Sequence, residues 1–165
     1  MKVANDANRF FIFDGILLTM ERDAGFREHA HTADWELEVW APDLPGLLRQ
    51  AGLGMQALCG VRLKAGPRQT RTLSLDGLDA ESLLVHFLSE LLWLGEQEKL
   101  GFDQFELELS QQDDPLQPQH PLHLTARLHG APMAGLDKEI KAVTYHNLAV
   151  RQTRNGLVAR IVFDV

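Results

Sequence analysis

The fold turns on the stretch Asp79-Ala80-Glu81-Ser82-Leu83-Leu84-Val85-His86-Phe87-Leu88-Ser89-Glu90-Leu91-Leu92-Trp93-Leu94-Gly95. Leu83, Leu84, Phe87, Leu88, Leu91, Leu92 and Leu94 recur at the spacing of one broad helical face. Asp79 suits the N-cap, and Gly95 stands near the stop. On both sides the period changes to two. Arg71-Thr72-Leu73-Ser74-Leu75 and Phe102 to Leu109 alternate as half-buried strands do. Further upstream, Trp35-Glu36-Leu37-Glu38-Val39-Trp40 alternates apolar and acidic residues. Asp43 then reads as an N-cap with Pro45 in the first turn, and Leu44, Leu47, Leu48, Ala51, Met55 and Leu58 follow at helical spacing. Gly46, Gly52 and Gly54 each cost this helix up to ~1 kcal/mol relative to Ala, so tertiary packing must hold it. Downstream, the proline-containing Gln111 to Pro121 reads as a loop and Leu122 to Leu128 as another strand. The order strand, helix, strand, helix, then several antiparallel strands predicts an α+β fold. It is a single domain, mostly antiparallel sheet packed with two main helices.

The last strands carry a register prediction. Asn155-Gly156 is the strongest hairpin signal in the chain. A two-residue turn there sets Val150 opposite Ile161, Leu148 opposite Phe163, and Arg151 opposite Arg160. The same register sets Asn147 opposite Asp164 and His146 opposite Val165. On this reading Lys141, Val143 and Tyr145 share one strand face, and Ala142, Thr144 and His146 the other.

Composition narrows the function classes. The chain has 165 residues, 45% apolar and 24% charged, with a net charge of −7. One domain of this size buries roughly 70% of its unfolded surface. The acidic balance argues against a free-standing nucleic-acid binder, so no direct stable contact with RNA is expected. The single Cys59 excludes an intramolecular disulfide and fits a reducing, cytoplasmic setting. Phe10-Phe11-Ile12-Phe13 and Gly15-Ile16-Leu17-Leu18 are apolar but too short to cross a bilayer, so no membrane partner is expected. Residues 1–25 read as an N-terminal extension, either an extra strand or a flexible arm, with Met20 as an alternative start. Residues 26–165 read as the domain proper.

Candidate sites gather at the chain's last strand. Asp164 stands next to the terminal carboxylate of Val165, and two neighbouring acids need a cation, a donor or solvent. Asp34, in His31-Thr32-Ala33-Asp34 before the first clear strand, adds a third oxygen donor only if the fold brings it there; as a bare tetrapeptide this reads first as a turn. An all-oxygen set suits calcium, magnesium or manganese better than zinc. Lys141 sits in an otherwise apolar strand, where it could meet a phosphate or snorkel to water. His86 and Glu90 lie one helical turn apart on a polar edge, where a solvated pair is the plainer reading. His29/His31 and His120/His123 have ligand-like spacing, but loop surroundings and the lack of a Cys partner argue against zinc. Gly52-Leu53-Gly54 lies inside a helix and is no phosphate loop. No nucleophile–base pair is evident.

Together these pieces resemble the archease family. The likeness rests on His31-Thr-Ala-Asp34, on Leu83-Leu-Val-x-x-Leu-x-Glu-Leu-Leu92, on Glu139-Ile-Lys-Ala-Val-Thr-Tyr-His146 and on Ala159-Arg-Ile-Val-Phe-Asp-Val165. It covers about Phe26 to Val165. Trp35-Glu36 stands where the family usually has Ile-Gly. The resemblance implies a non-catalytic accessory factor for an RtcB-type RNA ligase, which promotes guanylylation of the ligase and its multiple turnover in tRNA splicing and RNA repair. It implies a divalent metal, calcium foremost, held by Asp34, Asp164 and Val165 through its terminal oxygen. Lys141 is implied as a functional contact, with His31 and His146 beside it. The competing readings are a small metal-dependent hydrolase or phosphotransferase using the same acids, and a generic chaperone-like binding module.

Overall fold

The two helices begin where their capping residues dictate. In the computed structural model, which describes residues 12–13, 16–17, 23–30, 35–110 and 114–165, Asp43 accepts the Gly46 N–H at 2.8 Å and starts helix α1, Leu44–Leu58. Asp79 starts α2, Ala80–Gln97, by a reciprocal exchange: its side chain accepts the Ser82 N–H at 2.7 Å while Ser82 Oγ accepts the Asp79 N–H at 3.1 Å. These bonds satisfy N–H groups that the first turn cannot pair internally.

The strands are β1 (Ile12–Phe13), β2 (Ile16–Leu17), β3 (Gly25–Ala30), β4 (Trp35–Ala41), β5 (Arg62–Leu63) and β6 (Gln69–Gly77). After α2 come β7 (Leu100–Leu109), β8 (Leu122–Gly135), β9 (Ala142–Val143), β10 (Arg151–Thr153) and β11 (Gly156–Asp164). Among the described residues every pairing is antiparallel. β1 and β2 pair with each other. In the first main sheet β4 lies between β3 and β11, and both β9 and β10 pair the other side of β11. In the second, β8 is central, with β6 and β5 along one side and β7 along the other. The α+β expectation holds.

One core joins these layers. Leu37 and Val39 of β4 and Ile161 and Phe163 of β11 face inward with Leu47, Leu48 and Met55 of α1. Leu84, Phe87 and Leu88 of α2 meet Phe105 of β7 and Leu124 and Leu128 of β8 in the same cluster. The costly glycines of α1 have a packing reason. A Cβ at Gly54 would sit 2.8 Å from Leu37 and 2.9 Å from Phe26, and one at Gly52 3.1 Å from Leu91. The helix lies so close to β3, β4 and α2 that these positions have no room for a side chain.

The predicted hairpin register is corrected. Thr153 pairs with Gly156, Gln152 with Leu157 and Arg151 with Val158, so the turn is Arg154-Asn155. Neither turn residue has the positive φ that a type I′ turn requires. Gly156 takes φ 127 instead, and a Cβ there would lie 2.2 Å from the Ala41 carbonyl. Gly156 is thus the first strand residue, fitted against the end of β4. The paired stretch is also broken upstream: β9 pairs β11 as Val143–Phe163 and Ala142–Asp164. Residues 144–150 leave the strand through a turn in which Leu148 N–H donates to Tyr145 O at 3.2 Å and Asn147 has φ 52. Tyr145 therefore does not share a strand face with Lys141, and His146 does not oppose Val165.

Candidate functional site

The site is built from the end of β11 and the segment that pairs with it. Phe163 is fully buried and pairs with Trp35 on one side and Val143 on the other. Alternation along the strand turns Asp164, the next residue, to the exposed face. The Lys141 N–H donates to the Asp164 carbonyl at 2.8 Å, and the Lys141 ammonium donates to the main-chain oxygen of Val165 at 3.0 Å. Thr144 closes the other end of β9: its N–H and its hydroxyl both donate to Val162 O, at 3.1 and 2.9 Å.

The loop from β8 brings the cations. Asp137 and Lys138 both donate their N–H groups to Cys59 O at the end of α1, at 2.9 and 3.2 Å, and Asp137 pairs with Arg62 at 2.5 Å. This anchoring sets the Lys138 ammonium 4.4 Å from the centre of the Trp35 ring, a cation–π contact. Trp35 is thus pinned between Phe163 and Lys138 at the end of β4.

Of the expected site residues, Asp164, Val165 and Lys141 come together. Asp34 and His31 lie outside the described residues; the chain neighbour of Asp34 is Trp35. His146 is placed in the exposed turn beside Asn147, whose amide nitrogen is 3.1 Å from its Nε2. Among the described residues no group of three His, Cys, Asp or Glu side chains is placed to hold a metal. What the tip offers is the exposed Asp164 carboxylate and the Val165 oxygen, hard donors that fit a divalent cation preferring oxygen.

Two further polar groups were not legible beforehand. On the exposed face of the first sheet, Glu38 is only 12% exposed and receives Arg27 at 2.5 Å, His29 at 3.0 Å and Arg160 at 3.1 Å. Burial alone would raise its pKa, but the Arg27 and His29 hydrogen bonds and the charges of Arg27 and Arg160 outweigh it and hold the carboxyl below its ordinary value. His29 stands on β3, where a loop was expected, and His123 on β8, within the strand expected over Leu122 to Leu128. On the second sheet, His123 Nε2 is 3.3 Å from Ser74 Oγ, and its Nδ1 2.7 Å from Asp76 Oδ1.

That order, hydroxyl, imidazole, carboxylate, is the one used in acyl transfer. It lies on an open face, however, with the Asp76 side chain 75% exposed. It is also echoed on the same sheet by Thr70 of β6, His129 of β8 and Glu106 of β7, at 3.1 and 2.8 Å. Repetition on a solvated sheet face is ordinary cross-strand polar pairing. Period two places Ser74 and Asp76 on one face in the sequence, but only the β6–β8 register brings His123 to them. His86, the helix residue weighed with Glu90, instead bonds the Asp76 carbonyl at 2.8 Å.

Comparison with known proteins fits this arrangement. The model of the Archease protein family matches residues 26–165. The protein archease of Methanosarcina barkeri is 30% identical over 139 residues, covering 82% of this chain and 92% of that protein. The archease of Saccharolobus islandicus is 29% identical over 144 residues, covering 85% and 98%. Among solved structures, that of Methanobacterium thermoautotrophicum protein 1598 superposes with a TM-score of 0.67 at 27% identity, over 86% of this chain and 99% of that one. The crystal structure of an archease, given as a possible chaperone, from Thermotoga maritima shares the fold. Its TM-score is 0.54 at 18% identity, over 84% of this chain and 94% of that one. The chain belongs to the archease family.

Proposed function

We propose that this chain is an accessory protein that activates an RtcB-type RNA ligase in the cytoplasm, promoting guanylylation of the ligase and its multiple turnover in tRNA splicing and RNA repair. It is not itself a ligase. The observation that carries the reading is the meeting of Lys141, Asp164 and Val165 at the end of β11. Family membership supports it, because these residues stand in the Glu-x-Lys and terminal motifs of the resemblance.

Asp34 is the third member of the proposed donor set. Its support is chain connectivity: it precedes Trp35, which pairs with the residue preceding Asp164. A divalent cation, calcium foremost and magnesium or manganese next, would supply positive charge against a triphosphate when bound. The chain's own part is geometric. Buried Phe163 and the Trp35–Lys138 contact hold the donors on a rigid strand end, and Lys141 adds a mobile ammonium at the same place. Such a tip can be presented to a nucleotide site without moving the core.

A guanylylation assay with a purified RtcB-type ligase tests this. The wild-type chain should raise the guanylylated fraction and allow repeated ligation, and Asp34→Ala should not. Full activation by Asp34→Ala would remove the tip from the mechanism.

A second reading is a chaperone-like binding module. It is favoured by a groove of about 930 Å³ beside β3 and α1, lined by Phe26, Leu37, Leu53 and Leu58. Suppression of aggregation of unrelated proteins, unaffected by Asp164→Asn, would select it.

A further inference from the structure

We infer that Lys141 and the divalent cation of the proposed tip compete for the Val165 oxygens, so that cation binding releases the Lys141 ammonium to meet a phosphate group. This rests on the reading above, in which Val165 is a donor. The contact that carries it is the 3.0 Å hydrogen bond from Lys141 Nζ to Val165 O. The lysine thus holds a main-chain oxygen of the residue proposed as a cation donor.

The backbone makes such an exchange feasible. Lys141 N–H donates to Asp164 O at 2.8 Å, and its chain neighbour Ala142 pairs with Asp164. The main chain of Lys141 therefore stays beside Val165 wherever its side chain goes. Lys141 is exposed, and its four-carbon stem lets the ammonium swing without breaking a packed contact. Lys138 cannot substitute, because its ammonium is engaged over the Trp35 ring. A divalent cation on the Val165 oxygens repels an ammonium at hydrogen-bond distance from them. The repulsion is screened at an exposed site but not abolished. Once released, the ammonium and the cation lie close together with like charge. An anion spanning both relieves that, and a phosphate, with several oxygens, is the group of suitable shape. Lys141 is then a positioning residue whose availability reports cation loading.

Calcium binding to the whole chain, measured by titration calorimetry, tests the competition directly and needs no ligase. Lys141→Met should bind calcium about tenfold more tightly than wild type, with the difference shrinking at high salt. Lys141→Arg, which keeps the charge, should stay near wild type. Acylation of lysines read by mass spectrometry gives the second readout. Calcium should increase labelling of Lys141 and leave Lys138 unchanged, and inorganic pyrophosphate at saturating calcium should suppress Lys141 labelling again, where acetate does not.

Equal or weaker calcium binding by Lys141→Met, or Lys141 labelling indifferent to calcium, overturns the competition. Failure of pyrophosphate to protect overturns the phosphate assignment. If wild type and variant both fail to bind calcium, the metal-tip reading fails and this inference with it. If both bind equally, this inference alone fails.

Discussion

The Gln56 carboxamide closes a two-point bond on the backbone of Phe102: its nitrogen donates to the Phe102 carbonyl at 2.5 Å, and its oxygen accepts the Phe102 N–H at 2.7 Å. Among the described residues β7 pairs only with β8, so backbone groups on its other side have no strand partner, and a side chain of α1 supplies one for Phe102. Gln56→Leu should therefore cost about 2–4 kcal/mol, from two partly buried polar groups left unpaired. Urea unfolding should show a lower midpoint with an unchanged slope.

Gly156→Ala should be among the most disruptive single-methyl additions in the chain. The added carbon meets the Ala41 carbonyl at 2.2 Å and Pro42 Cα at 2.6 Å, at φ 127. A loss of about 2–4 kcal/mol is expected, because backbone strain and a backbone clash act together. Asn155→Ala, in the adjacent turn, should cost well under ~1 kcal/mol, since no positive φ is required there. Thermal melts of the two variants check the contrast.

Glu38 gives the fold an acid-sensitive element. Its folded pKa is held below the ordinary 4.5 against the opposing effect of burial. The native protein thus binds fewer protons here than the unfolded chain. The stabilisation is fully present above the ordinary value and is lost as pH falls through the lowered one. Glu38→Gln should be less stable than wild type at neutral pH and should lose less stability on acidification. Urea midpoints across the acid range measure both effects; parallel curves for the two proteins would contradict the assignment.

Cys59 should behave as an inert thiol. Burial pushes it up to about 11 from an ordinary 9, only slightly offset by a backbone bond from Ile140, and it is 4% exposed. The neutral form supports the fold below its ordinary value, and that support is lost as pH rises toward 11. At neutral pH, iodoacetamide should modify it at the rate at which the protein opens. Fast labelling of the native protein would contradict this.

The tip should be intolerant of additions. A bulky segment fused after Val165 would crowd the main-chain oxygen that Lys141 grasps. A tag there should reduce ligase activation well below that of a protein tagged at Met1. Asp164→Asn should reduce it while leaving the melting temperature close to wild type, because Asp164 is exposed. Equal activation by the two tagged forms would take the Val165 oxygens out of the mechanism.

What was legible in the sequence was local. Asp43 and Asp79 cap helices because a carboxylate three residues before a free N–H is decided by neighbours in the chain. The alternation at Trp35–Trp40 and Leu122–Leu128 was legible for the same reason. Non-local choices were not. β8 continues past Gly130 and Pro132 to Gly135 because Lys64 donates to Pro132 O at 2.8 Å and Met133 donates to Lys99 O at 2.7 Å. Neighbouring strands, not the strand's own residues, override two residues that usually end one. Asn155-Gly156 alone predicts a turn one residue further on, whereas the close fit of Gly156 against Ala41 and Pro42 sets the turn at Arg154-Asn155. At the site, Lys141 was expected on a continuous strand. It reaches Val165 because residues 144–150 loop out and reset the pairing.

The pairing of β4 with β11 sets a timetable for synthesis. Glu38 and Arg160, bonded across these strands, are 122 residues apart. By the time the ribosome has made residue 135, every strand of the sheet around β8 exists, whereas β4 has β3 but still waits for β11. The nascent protein can therefore assemble one half while the other holds Leu37 and Val39 without their β11 partners. The tip is built on the pairings of that strand, so a product truncated before β11 would keep much of a core while lacking the Lys141–Val165 contact. Such distant pairing is slow to find, and its completion separates a finished molecule from an abandoned one.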